Sequence, residues 1–330
     1  MNYNRYRAAK SKNICKTPTK DYIFDNNSKR GTEMKIAVLQ QYAPVTYNRF
    51  KELPSLEELK AMGEQSVERC LALIDEAANQ GADLCVTIET VNAHIALGDT
   101  RFKYTETVDG NIVKRFSEAA KKHGMHIVAG LALSIDGKPY NTAVLFDDNG
   151  EIVGIHKKVH LPAGEELHFL HGDRLDVFET KLGRIGMLVC WDMQFPEAAR
   201  ELALAGVDLI ACPTYGWENI YGLSRAYENS VYIAAGMCTY RHGLWPENDP
   251  SCIVDNMGKV LAACERDSEG IAIVDVDIKK EPAPQYGSQH YYPSHSMRKT
   301  RFSQRRPEAY RLINRQSTET PLYKRYFDED

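Results

Sequence analysis

A predicted strand and a predicted helix meet across one cysteine, and this junction restricts the fold more than any other stretch. Residues Arg184–Arg200 read R-I-G-M-L-V-C-W-D-M-Q-F-P-E-A-A-R. The apolar run Ile185-Gly186-Met187-Leu188-Val189 has the length and β-propensity of a buried strand, and it stops at Cys190. Pro196, the acid Glu197 and a closing Gly206 punctuate a helix over Pro196–Ala205. Val207–Cys212 is a further buried strand, stopped by Pro213. Cys190 is therefore predicted at a strand-to-helix corner, near backbone N–H groups and a helix N-terminus that favour a thiolate. Taken alone, this stretch reads more plainly as a structural thiol, because free cysteine is among the most buried residue types.

The same alternation runs through the chain. Lys35–Gln40, Asp83–Ile88, Met125–Leu133, Asn141–Phe146 and Leu175–Phe178 read as strands, and Ser230–Cys238 is strand-like. Leu56–Gln80 carries apolar residues at helical spacing before Gly81, and Asn111–His123 is closed by Gly124. Leu223–Asn229 also reads as helical. The Asp147–Gly150 turn predicts a tight hairpin into Glu151–His156. Ser251–Asp255, Lys259–Cys264 and Gly270–Val276 read as a meander. Helices and strands alternate early and strands predominate late, which predicts a layered α/β domain with mixed sheets over residues 34–281. Before it, residues 1–33 hold eight Lys/Arg against three Asp/Glu and read as a basic, solvated tail. After it, residues 282–330 are rich in Tyr and Arg, residue types favoured at interfaces, and read equally as an arm that contacts an oligomeric partner or as a loose tail.

Charge and cysteine usage narrow the function classes. A net charge of −4 gives no reason to expect nucleic acid or an anionic membrane as partner. No stretch approaches the ~20 apolar residues of a membrane span, and the basic N-terminus lacks an apolar secretory core. The eight cysteines are scattered, without a C-x-x-C pair or zinc-type spacing, which reads as reduced, cytoplasmic usage. His156, His160, His168 and His171 fall in one loop. Pro162 and Gly164 argue against a helix that would align the first two as metal ligands, so neither a metal nor a cofactor is expected.

Three residues carry chemistry. Glu89 ends the apolar strand A-D-L-C-V-T-I-E, Lys158 stands in H-K-K-V-H-L-P, and Cys190 ends G-M-L-V-C. A charge at the end of an apolar strand needs a partner or an opening to water. Together they supply a thiol nucleophile, a carboxylate base and a cation for an oxyanion.

These segments resemble the nitrilase superfamily of carbon–nitrogen hydrolases. That family shows a strand ending in Pro-Glu, then Arg-Lys-x-His-Leu, then Cys-[Trp/Tyr]-[Asp/Glu]-x-x-Phe-Pro-Glu. Here the three stand as Ile88-Glu89, Lys157-Lys158-Val159-His160-Leu161 and Cys190-Trp191-Asp192-Met193-Gln194-Phe195-Pro196-Glu197. Gly172-Asp173 and Arg225-Ala226-Tyr227-Glu228-Asn229 match two further family patterns, and the resemblance covers residues 35–280. Ile88 replaces the usual proline and Lys157 the usual arginine, and neither change removes a reacting group.

The resemblance implies a four-layer α-β-β-α sandwich and a triad of Glu89 as base and acid, Lys158 as thiolate and oxyanion stabiliser, and Cys190 as nucleophile. The backbone N–H of Trp191 is expected to assist at the oxyanion. A second glutamate is implied in the lysine loop. The family's usual offset of eight residues favours Glu166 as this orienting carboxylate, with Glu165 as the fallback. Cys190-Trp191-Asp192 is similar to the amidase and carbamoylase branches. The implied reaction is hydrolysis of a linear amide or N-carbamoyl amine through a Cys190 thioester. Nitrile hydrolysis, acyl transfer to an amine, and a non-catalytic scaffold remain alternatives. Tyr215, Trp217 and the Thr90–Lys103 loop are expected to line a pocket for a small-molecule substrate. The resemblance also implies a homodimer or larger homo-oligomer.

Overall fold

The computed structural model describes residues 33–42, 55–93, 105–239, 248–282 and 296–327. In chain order the first elements are β1 (Met34–Tyr42), α1 (Leu56–Asn79), β2 (Leu84–Val86), β3 (Glu106–Thr107), α2 (Asn111–His123), β4 (His126–Ile135), β5 (Lys138–Phe146) and β6 (Ile152–Lys157). Then come β7 (Val177–Thr180), β8 (Gly183–Met187), α3 (Pro196–Leu204), β9 (Leu209–Thr214), α4 (Asn219–Asn229) and β10 (Tyr232–Thr239). The last are β11 (Cys252–Val254), β12 (Val260–Ala263), β13 (Gly270–Val276), α5 (Met297–Ser303) and α6 (Pro321–Phe327). The basic tail, but for Glu33, lies outside the described residues, as do residues 94–103 of the predicted pocket loop.

Local chemistry explains the helix ends. Ser55 and Glu58 form a reciprocal capping box at the start of α1. Gly124 closes α2 at φ +59°, a left-handed conformation that costs glycine little. The Asp147–Gly150 turn joins β5 to β6 as an antiparallel hairpin.

The strands run β6-β5-β4-β2-β1-β10-β9-β8-β7, with β13 on β1, β11 on β10, β12 on β11 and β3 on β4. Within this order β4, β2, β1, β10, β9 and β8 are an unbroken parallel run, flanked by antiparallel pairs. The fold is thus mixed α/β. The meander expected at the end is only partly present. β11 and β12 pair, but β13 leaves them and runs antiparallel along β1, with Met34 opposite Val276. That position buries alternate β13 side chains on two faces, Ala272 and Val276 on one and Ile271 and Ile273 on the other.

Side-chain alternation divides the core. β1 sends Ala37 and Leu39 into a cluster with Val67, Leu73 and Ile74 of α1 and Val113 and Phe116 of α2. Its other face sends Ile36 and Val38 into a second cluster, shared with Ile185, Met187, Leu209 and Ala211. A third cluster joins Ile210, Cys212 and Ile233 to Leu202 of α3 and Ala226 of α4. Strands that feed two clusters have one apolar layer on each face. Burial on both faces is why β1, β2 and β9 read as continuous apolar runs.

This arrangement positions the chemistry. Glu89 follows β2, Lys158 follows β6 and Cys190 follows β8, each beyond the carboxyl end of its strand. Ligands in open parallel sheets bind beyond these ends. Among the described residues no helix is long and apolar enough to cross a membrane, and the seven described cysteines are free thiols.

Candidate active site

Lys158 is the centre of the site. It is 1% exposed, and its backbone N–H donates to the Asn141 carbonyl at 2.8 Å. Its Nζ donates to Glu89 Oε1 at 2.8 Å and to Glu165 Oε2 at 2.7 Å. Burial by itself pulls the ammonium pKa down. The negative charges of Glu89, an ionised Cys190 and Glu165 outweigh burial and push it up, so the amine stays protonated. Glu165 is pushed up as well, first by burial and then by the nearby Glu89 charge, against the pull of Lys158.

The second carboxylate is Glu165 and not the expected Glu166. Glu165–Leu167 is a single 3-10 turn, in which successive side chains point about 120° apart. Only one of two adjacent glutamates can face Lys158, and Glu166 is on the solvent side. A family offset cannot resolve a phase difference of one residue.

Cys190 sits at φ +45°, and Thr90, directly after Glu89, at φ +46°. Residues with a Cβ rarely adopt this region, and such strain gathers at functional sites. The predicted corner differs in detail. Cys190 opens a 3-10 turn, Cys190–Gln194, that precedes α3, so the first residue of α3, Pro196, is six residues on. The thiol is not depressed as that corner predicted. It is pushed up to about 11, chiefly by burial and then by the Glu89 charge, although Lys158, Thr214 and the Tyr215 backbone act in the other direction. At neutral pH the sulfur therefore carries its proton and needs a base to lose it.

In sequence Asp192 marks only a family branch, yet it joins two segments of the site. Fully buried, its Oδ1 accepts from the backbone N–H of Val159 at 3.1 Å and of His160 at 2.9 Å. Its Oδ2 accepts from the Val189 N–H at 3.0 Å. His160 Nδ1 lies 2.8 Å from Oδ1 and His156 Nε2 lies 2.9 Å from Oδ2. Burial opposes its charge, but these bonds hold the carboxyl well below the usual carboxylate range. One side chain thus ties the Lys158 loop to the turn that carries Cys190, and its histidine partners are His156 of β6 and His160 of the loop.

Other motif residues hold the frame. Arg225 on α4 donates to the carbonyls of Met193 at 3.3 Å and Gln194 at 3.1 Å, bracing the Cys190 turn. A Cβ on Gly172 would stand 2.1 Å from the Lys157 carbonyl oxygen, so only glycine fits beside the lysine loop. Asn141, which the sequence reading missed, donates from Nδ2 to Glu89 Oε1 at 2.6 Å and to Glu165 Oε1 at 2.7 Å. Its signal was an amide in a strand, where Asn is depleted. Tyr215 is half-buried beside the first core cluster, with its backbone near Cys190. Trp217 does not line an opening. Its ring is fully buried in the third cluster, edge-on to Tyr221, and its Nε1 donates to Asn219 at 3.0 Å. Trp191 is 40% exposed.

A buried ammonium between two carboxylates, with a thiol close enough to feel their charge, stands on this mixed α/β frame. The chain belongs to the carbon–nitrogen hydrolase family, whose pattern residues 37–281 match. It is 30% identical over 305 residues to "Nitrilase homolog 2" of Dictyostelium discoideum, covering 81% of this chain and 88% of that protein. It is also 30% identical over 243 residues to "Omega-amidase NIT2" of Mus musculus, covering 68% and 87%. In fold it matches the crystal structure of a carbon–nitrogen hydrolase from Helicobacter pylori G27, with a TM-score of 0.68 and 22% identity over 86% of this chain and 99% of that one.

Proposed function

We propose that the chain hydrolyses a linear amide or N-carbamoyl amine through a thioester on Cys190. The observation that carries this reading is the Lys158 ammonium held between Glu89 and Glu165 beside the Cys190 thiol. The amidase name of its relative in Mus musculus supports an amide substrate.

Glu89 takes the Cys190 proton as sulfur attacks the carbonyl carbon, since the thiol does not ionise alone at neutral pH. The carbonyl oxygen becomes an oxyanion, stabilised by the Lys158 ammonium and the Trp191 backbone N–H. Collapse breaks the carbon–nitrogen bond, and Glu89 returns its proton to the leaving amine or ammonia. Water then adds to the thioester as Glu89 takes a proton from it. Collapse releases the acid, and the proton returns to sulfur. Glu165 helps keep Lys158 charged throughout, because two anions flank the ammonium.

Intact-protein mass spectrometry after brief exposure to linear amides, N-carbamoyl amino acids and nitriles tests the reading, with ammonia assayed in parallel. The expected result is an acyl adduct on Cys190 and turnover, both absent in Cys190→Ala. Turnover that survives Cys190→Ala refutes it.

Two further parts of the reading concern context. The free thiols fit a reducing compartment such as the cytoplasm. In the C-terminal arm, Arg298 and Arg301 of α5 bond to the carbonyls of Val207 and Tyr227. Beyond α5, Tyr310, Leu312, Ile313 and Leu322 stay exposed. A second copy of the chain covering these side chains accounts for them, and sedimentation velocity reports the copy number.

A further inference from the structure

The two carboxylates beside Lys158 are bridged a second time by one amide nitrogen. Asn141 Nδ2 has two hydrogens, and its two short bonds run to Glu89 Oε1 and Glu165 Oε1. Lys158 Nζ bonds to the same Glu89 oxygen and to the other oxygen of Glu165. The four groups close a ring in which donors and acceptors alternate.

The ring treats the two oxygens of Glu89 differently. Oε1 accepts from both Lys158 and Asn141, which uses its lone pairs. Oε2 is buried and accepts no hydrogen bond among the described residues. A proton arriving at Glu89 is therefore directed to Oε2, the oxygen left for the thiol, the leaving amine or the attacking water. Asn141 is 1% exposed and sits mid-strand in β5, with Thr142 beside it bonded across to Leu131, so the amide is held by the sheet.

We infer that Asn141 is a positioning residue: by donating one hydrogen to each carboxylate it fixes the pair about Lys158 and leaves Glu89 aimed through Oε2. This rests on the proposed triad chemistry. A donor to an ionised carboxylate stabilises the charged form, and its loss raises the carboxylate pKa. Removing Asn141 therefore moves the acid limb of activity toward higher pH.

The experiment compares wild type, Asn141→Ala and Asn141→Ser, the last retaining one donor. Two quantities are read: the pH profile of kcat/KM on whichever amide the enzyme turns over, and the ionisation midpoint of the buried glutamates by infrared titration of ¹³C-Glu-labelled protein. The infrared arm needs no substrate, so it reports on Asn141 even if the amide reading fails. Asn141→Ala is expected to raise the midpoint and the acid limb by about one pH unit. It is also expected to lower kcat about 10–100-fold while KM changes less than about threefold. Asn141→Ser is expected between the two. An infrared midpoint in Asn141→Ala within about 0.3 units of wild type overturns the inference. If the alanine variant does not fold, an unmoved midpoint in Asn141→Ser does so.

Discussion

Replacing Asp192 with asparagine tests the joint between the Cys190 turn and the Lys158 loop. The carboxylate meets five nitrogens, three on Oδ1 and two on Oδ2, and is fully buried. Asparagine preserves the shape but offers one oxygen and one NH2. Whichever way it turns, the NH2 then faces at least one backbone N–H: Val189 on one side, or Val159 and His160 on the other. Each such buried group left unpaired costs about 1–3 kcal/mol, and the bonds that remain lose their charge assistance. The expected loss of stability is therefore about 3–5 kcal/mol in urea titration at pH 7. The exposed control Glu201→Gln should stay within about 0.5 kcal/mol of wild type. The difference also depends on pH. The folded carboxyl lies well below an unfolded aspartate near ~3.9, so its contribution is present above that value and is lost as pH falls through the depressed folded one. The stability curves of wild type and Asp192→Asn should therefore converge in acid. An Asp192→Asn protein within about 1 kcal/mol of wild type at pH 7 would refute the reasoning.

Two further outcomes follow from the charges at the site. Glu89→Gln removes the negative charge that helps hold the Cys190 thiol at about 11, leaving Lys158 to favour the thiolate. Alkylation of Cys190 by iodoacetamide at pH 8, read by mass, should become faster while turnover falls about 10²–10⁴-fold; slower alkylation would contradict the electrostatic account. Glu165→Gln loses a charge-assisted bond of about 1.5–3 kcal/mol to Lys158, so kcat should drop about tenfold or more. Glu166→Gln should change kcat by less than about twofold, and the reverse order would return the role to Glu166.

Much of the frame is legible along the chain because it depends on short-range periodicity. The apolar spacing of Leu56–Gln80 and Asn111–His123, and the runs before Glu89 and Cys190, mark helices and strands from neighbours alone. The same reading nominates Glu89 and Lys158, which lie far apart in sequence and 2.8 Å apart in space. Ends and partners are less legible. The β13 strand looks like the last leg of a meander but pairs with β1, because strand pairing is set by which faces bury apolar area over long range.

The choices that tertiary structure alone makes are those of direction. Glu165 and Glu166 are chemically identical neighbours, and only the phase of a 3-10 turn against Lys158 separates them. Trp217 is an aromatic near the site in sequence, and only packing against Tyr221 shows that it faces the core. Asn141 acts through hydrogen bonds to segments 24–52 residues away and Asp192, beyond its local bond to Val189, to segments 32–36 residues away, which no local pattern encodes. The thiol pKa belongs to the same group. Sequence predicts a helix terminus that lowers it, whereas burial and the Glu89 charge raise it, and both terms exist only once the chain is folded around Cys190.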